Sequence, residues 1–204
     1  LLVDLCCCQG GASTGYVRAG FEVIGVDIDP QPRYPYTFVQ GDALDYIALH
    51  GHRFQAVHAS PPCQLHTNAW KIQKNDHPDL IEPMRDLLVA LNKPFIIENV
   101  PGAPLVDPVE LCGSMFGLET YRHRLFESNV DLTVPEHPEH AARTTKMGRP
   151  PVDGEFMHIV GNFSGVGRAR GVMDMAWASR DGLREAMPPA YTEHLGRQLM
   201  EMIA

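Results

Sequence analysis

Residues 59–64, Ala59-Ser60-Pro61-Pro62-Cys63-Gln64, put a thiol directly after two prolines. Each proline lacks an N–H and fixes φ, so neither strand nor helix continues through the pair. Cys63 is therefore expected on a stiff loop at a strand end, where its side chain cannot sink into a helix or sheet face. A thiol held this way can act as a nucleophile once ionised; the alternative is a small buried hydrophobe beside a turn. Asp4, Asp27 and Glu98 each lie at or near the end of an apolar run. Together with Cys63 they are expected at the carboxyl ends of strands in alternating β/α units, the edge where ligands of open α/β sheets bind. Arg122 and Arg124 sit one residue apart in an alternating run, which expects both on one strand face. Two guanidiniums there suit anion or carbonyl recognition, or a solvated edge strand.

The elements that must position these groups follow from pattern. Residues 1–6 form an apolar run of buried-strand type, followed by the turn Gln9-Gly10-Gly11-Ala12-Ser13-Thr14-Gly15 and a helix through Tyr16, Val17 and Ala19, closed by Gly20. Phe21 to Asp27 is the second strand. Such a unit lets backbone approach a ligand at the glycines, while the carboxylate accepts from ribose hydroxyls. The turn is not Gly-x-Gly-x-x-Gly, which disfavours a pyrophosphate dinucleotide and leaves room for a nucleoside cofactor without phosphates. A short strand is expected around residues 37–39 and a helix over Ala43 to Leu49, with Asp42 between them as helix N-cap or as acceptor for an adenine amino group. Strand 54–59 leads to the double proline, and 65–77 is expected to be a loop over a cleft. Leu80, Ile81, Met84, Leu87, Leu88 and Leu91 recur at helical spacing, and Pro94 to Val100 is the next buried strand. Tyr121 to Glu127 alternates as a strand does, 131–172 shows no clear periodicity, Asp174 to Arg184 is expected to be helical in part, and a terminal helix begins at Pro188-Pro189. Arg143, Lys146, Arg149, Arg168 and Arg170 make the aperiodic stretch a solvated loop or a phosphate-contacting one.

Composition narrows the class. The 204 residues suffice for one domain with a full core, expected as a single unit over 1–204, and 21% charged against 44% hydrophobic residues fits a soluble globular chain. No apolar run is long enough to cross a bilayer, and Leu1-Leu2-Val3 reads as strand rather than leader peptide. Five cysteines, three of them consecutive (Cys6, Cys7, Cys8), argue against a disulfide framework and for a reducing, cytoplasmic setting. Three adjacent thiols cannot surround one tetrahedral ion, so no metal is expected. Cys112 is expected in the core. A formal charge of −8 weakens broad nucleic-acid binding while leaving room for a local basic cleft.

In order along most of the chain, these stretches resemble the DNA cytosine-5 methyltransferase family, in its compact phage-type form. Residues 4–11 resemble the cofactor motif, Gly25-Val26-Asp27-Ile28 the ribose-binding strand, and Gly41-Asp42 the adenine-contacting step. Ser60-Pro61-Pro62-Cys63-Gln64 resembles the nucleophile motif, Glu98-Asn99-Val100 the acid motif, and Arg122-His123-Arg124 the arginine pair. Pro188-Pro189-Ala190-Tyr191 with Gly196 resembles the closing motif. Two positions depart from the family pattern: Cys6 stands where an aromatic residue lies against adenine, and Cys8 where a glycine is expected. The target-recognition region, 131–172, is short.

The resemblance implies a Rossmann-like α/β fold with a mostly parallel sheet and helices on both faces, S-adenosyl-L-methionine as cofactor, and DNA as substrate of a monomeric enzyme. It implies cofactor contacts from Asp4, Cys6, Gly10, Gly11, Asp27, Ile28, Asp42, Ala43, Ser60 and Pro61, and catalysis by Cys63, Glu98, Arg122 and Arg124. Cys63 would add to C6 of a flipped cytosine while Glu98 grips N3 and the exocyclic amine and Arg124 holds O2. The same motifs suit RNA cytosine or a modified cofactor analogue, and a non-catalytic nucleic-acid-binding relic is the alternative of another class. A nicotinamide oxidoreductase is disfavoured by the turn sequence.

Overall fold

The computed structural model describes residues 1–62 and 79–203, so Cys63 and the expected loop 65–77 lie outside the described residues. Three apolar runs build the centre of one seven-stranded sheet: β1 (Leu2–Leu5), β4 (Ala56–Ala59) and β5 (Phe95–Asn99), in which every residue is buried. Strands β2 (Val23–Asp27) and β3 (Thr37–Gln40) extend it on one side. Strands β7 (Arg124–Ser128) and β6 (Val109–Leu111) extend it on the other. The order is β3-β2-β1-β4-β5-β7-β6. The first five strands run parallel, and the pairs β5/β7 and β6/β7 are antiparallel. The chain moves outward from β1 to β3 and then returns to β4 beside β1. That reversal opens a crevice at the carboxyl ends of these strands.

Side chains alternate across the central strands. Leu2, Ala56 and Ile96 face one core with Tyr16, Tyr191 and Leu195. Val3, Leu5, Val57 and Ile97 face the other with Ile47, Met84 and Leu88. The first face is covered by α1 (Gly11–Arg18) and α6 (Pro189–Ile203), the second by α2 (Ala43–His50) and α3 (Ile81–Leu91). Helix α6 lies directly on α1, because a Cβ on Gly15 would stand 2.1 Å from Thr192 Oγ1 and 2.2 Å from the Pro189 carbonyl. Thr192 Oγ1 donates to the Ala12 carbonyl at 2.8 Å across the same contact.

Three expectations need correction. Residues 131–172 are not simply a solvated loop: Met157, Ile159 and Phe163 are buried in a third apolar cluster with helix α4 (Val166–Met173), which the sequence pattern missed. Three of its five cations are engaged within the protein. Arg149 pairs with Glu155, Arg168 reaches Glu119 at 2.9 Å, and Arg170 Nε donates to the Ala178 carbonyl at 2.8 Å. Finally, β7 begins at Arg124, and Arg122 precedes it with φ 21°, so the two arginines are not paired on one strand face. Among the described residues, no helix is long and apolar enough to cross a membrane.

Candidate functional site

A cavity of about 350 Å³ opens at the carboxyl ends of the central strands. This is within the usual range for small-molecule sites, about 300–1,000 Å³. Its walls include Asp4, Cys6, Gly11, Asp27, Ile28, Asp42, Ala43, Ser60, Pro61, Glu98 and Arg124. Of the residues expected around a cofactor, Gly10 alone is absent from the lining. Gly10 takes φ 80° in the turn before α1, and a Cβ there would stand 3.0 Å from the Tyr34 ring and 3.1 Å from Pro35, so its role is to let the chain turn.

The turn after β1 is held from two sides. Asp27, at the tip of β2, accepts the N–H of Cys8 at 2.8 Å through one oxygen and that of Asp29 at 3.0 Å through the other. Gln9 is bolted to the C-terminal segment: Ser179 N–H donates to Gln9 Oε1 at 2.8 Å and Trp177 Nε1 to the Gln9 carbonyl at 2.8 Å. Cys6 and Cys8 take φ 59° and 45°, left-handed conformations that disfavour any side chain. Burial, with Asp27 and Asp4 adding negative charge, pushes the Cys6 thiol up to about 12, so it stays protonated at neutral pH.

Asp4 is fully buried and accepts the Ser13 hydroxyl, which in turn contacts Tyr34 Oη at 2.7 Å. Burial pushes its carboxyl up to about 7. Its Oδ1 has no hydrogen-bond partner among the described residues, an orphaned acceptor in the wall of the cavity. Asp42 fulfils the N-cap expectation, accepting Leu44 and Asp45 N–H groups through Oδ1 at 2.8 and 3.0 Å. Its place in the cavity wall leaves the adenine-acceptor role open as well.

On the opposite wall, Glu98 Oε1 and Arg124 Nε are 2.8 Å apart, and both side chains are nearly buried. Burial raises the Glu98 carboxyl above its ordinary value, while Arg124, the Ser60 hydroxyl and Arg122 pull it partly back. Behind this pair runs a buried polar chain. Tyr16 Oη meets His58 Nδ1 at 2.9 Å, and His58 Nε2 meets Ser60 Oγ at 2.9 Å. Burial lowers His58 to about 3, so the ring is neutral. If Ser60 donates to Glu98, it must accept from His58 Nε2–H, and Tyr16 must donate to Nδ1. The Pro61 carbonyl accepts from Asn99 Nδ2 at 3.0 Å, tying the double-proline bend to the strand that carries Glu98.

Arg122 stands apart. Its guanidinium donates to the carbonyls of Ile159 and Arg184, each at 2.7 Å, and it lines a second, neighbouring cavity with Tyr121, His123 and Arg124. It braces the end of helix α5 (Arg180–Glu185), where Arg184, Glu185, Ala186 and Met187 close the main cavity. Those four, with Leu80, Val100 and His58, were missed from sequence. For His58 there was a signal, a lone polar residue inside the apolar strand Ala56–Ala59; for the 184–187 wall there was none.

No protein-family model matches the chain, and no curated protein matches it in sequence. Solved structures do match. A prophage-encoded E. coli protein assigned as a DNA modification methyltransferase superposes with TM-score 0.68 at 16% identity, over 99% of each chain. The S. pombe Dnmt2 methyltransferase superposes with TM-score 0.60 at 12% identity, over 99% of this chain and 98% of that one. With its mostly parallel seven-stranded sheet flanked by helices, the chain has the Rossmann-like α/β fold of these methyltransferase structures.

Proposed function

We propose that the protein is a DNA cytosine-5 methyltransferase using S-adenosyl-L-methionine. The observation that carries this reading is the Glu98–Arg124 pair, set in one cavity with Pro61 and with the carboxylates of Asp4, Asp27 and Asp42. The cavity suits the cofactor: an orphaned buried carboxylate oxygen on Asp4 and acidic groups at two strand ends match the amines and ribose hydroxyls of an adenosyl amino acid. Asp27 and Asp42 would hold the ribose and the adenine, and Gly11, Cys6 and Ser60 would line the remainder. When bound, the cofactor supplies an electrophilic sulfonium methyl.

The chain's own residues solve the remaining problem, which is that C5 of cytosine is a poor nucleophile. Cys63, as thiolate, adds to C6, and Glu98 delivers its proton to N3, so the electron pair of the C5–C6 bond becomes available at C5. Burial raises the Glu98 carboxyl above its ordinary value, which favours the protonated form that donation needs. Arg124 holds the base O2. After C5 has accepted the methyl, water removes the C5 proton, the C6–S bond breaks, and N3 returns its proton to Glu98. The base must leave its stack to reach the site, at about a few kcal/mol. The whole chain acts as one catalytic unit, with 131–172 as a reduced target-recognition insert in which Arg143 and Lys146 are exposed.

Nucleoside mass spectrometry of DNA and RNA incubated with the protein and S-adenosylmethionine tests this. 5-Methylcytosine in DNA, lost in Cys63→Ala, is the expected result. Product in RNA alone overturns the substrate assignment, an unchanged yield in Cys63→Ala overturns the mechanism, and no product in either polymer favours the non-catalytic alternative.

A further inference from the structure

We propose that Cys112, His123, His137 and His140 form a structural zinc site that fastens the aperiodic segment to the edge of the sheet beside Arg124. One donor atom from each residue lies within 4.8 Å of the others. Cys112 Sγ is 3.4 Å from His140 Nε2, and His123 Nε2 is 3.2 Å from His137 Nε2. Tetrahedral zinc with nitrogen and sulfur ligands sets neighbouring donors roughly 3.3–3.7 Å apart, close to both separations.

Ordinary packing accounts poorly for this convergence. Two Nε2 atoms facing each other at 3.2 Å need one shared proton or one shared cation. His140 adds a third imidazole, its ring centre 5.0 Å from His123 and 4.9 Å from His137. A thiolate and three neutral imidazoles make a donor set suited to Zn²⁺ or Co²⁺ and unsuited to Mg²⁺ or Ca²⁺. The surroundings orient the donors. Ser114 Oγ lies 3.1 Å from Cys112 Sγ, and Tyr121 stacks on His140 at 3.6 Å. Four protein donors fill a tetrahedron, which makes the site structural.

The placement gives such a site work to do. Cys112 and His123 come from the β6–β7 region, and His137 and His140 from the segment after β7. Between Asn129 and Gly165 the only strand-type pairing is the isolated bridge Thr144–Phe156. With so little regular structure of its own, that stretch would gain most from an ion joining it to the sheet edge. His137 and His140 are exposed and open one side of the cluster to solvent, whereas Cys112 is fully buried.

The test uses the full chain without a polyhistidine tag and does not depend on methyl transfer. Elemental analysis of the purified protein is expected to give one zinc per chain. Exchange for Co²⁺ is expected to give tetrahedral d–d absorption with a thiolate-to-cobalt band. Both features should be lost in Cys112→Ser and in His137→Ala, which alters an exposed residue and spares the core, and retained in Cys63→Ala. Chelation should lower the Tm of the wild-type protein and leave that of His137→Ala unchanged. Substoichiometric metal with no cobalt spectrum overturns the proposal, as does an undiminished spectrum in a His137→Ala/His140→Ala variant.

Discussion

Asn99 Nδ2 donates to the Pro61 carbonyl at 3.0 Å, and Asn99 Oδ1 accepts the Val100 N–H at 2.9 Å. One buried amide thus fixes the bend that precedes Cys63 and the end of the strand that carries Glu98. Asn99→Ala strips the Pro61 carbonyl of its partner inside the protein, a loss of about 1–3 kcal/mol. A lower urea midpoint is expected. Methyl transfer should fall by more than the unfolded fraction explains, because the bend itself loosens; activity that tracks folded protein alone would assign Asn99 a purely structural role.

Two buried groups oppose each other in the pH dependence of stability. Asp4 is raised from 3.8 to about 7, so between these values the folded state holds a proton that the unfolded state has lost, and stability falls as pH rises. His58 is lowered from 6.5 to about 3, so across that range the unfolded state holds the extra proton, and stability falls as pH drops. Each effect is on the order of 4 kcal/mol, about three pKa units. Between about pH 4 and 6.5 the two slopes largely cancel. Asp4→Asn should leave stability rising with pH over this window, His58→Gln should leave it falling, and the double variant should lie between. Urea midpoints at the two ends of the window measure the signs.

The parts of this protein written in local pattern were legible. β1, β4 and β5 are apolar runs interrupted by Asp4, His58 and the closing Glu98-Asn99, and Asp42 before Ala43 carries both a cap and a place in the cavity wall. What depended on distant partners was not. Helix α4 contains Gly167 and Gly171 and no strong amphipathic stripe; the burial of Ala169, Val172 and Met173 in the third cluster holds it. Strand β6 has three residues and exists by pairing with β7. Alternation around Arg122 suggested a strand that its positive φ interrupts. Cys112 sits alone in an apolar stretch, and the histidines that meet it are spread over residues 123 to 140, a spacing with no local ligand pattern.

Cys8 occupies a left-handed backbone position, φ 45°, where the resemblance expects glycine. That conformation costs a residue with a Cβ about 1–2 kcal/mol. Cys8→Gly should therefore raise the thermal midpoint despite losing a side chain, since the Cys8 N–H still reaches Asp27. Cys8→Val, β-branched at the same φ, should lower it. Differential scanning calorimetry of the three proteins gives the order directly.

Arg124 contributes to the site in two separable ways. Its Nε fixes Glu98 at 2.8 Å, and its Nη1 donates to the His123 carbonyl at 2.8 Å, so the guanidinium plane is set before any base arrives. Its charge also holds the Glu98 carboxyl lower than burial alone would. Arg124→Gln removes both contributions. The rate should drop by about 10²–10³, as for loss of a preorganised donor at a developing charge. Glu98 should keep its proton to higher pH, so the alkaline limb of the pH–rate profile should move upward even as the maximum falls. Arg124→Lys retains the charge and loses the planar fork, so its rate should fall with little movement of that limb. A limb that stays in place in Arg124→Gln would mean that Glu98 is not the group whose proton the reaction uses.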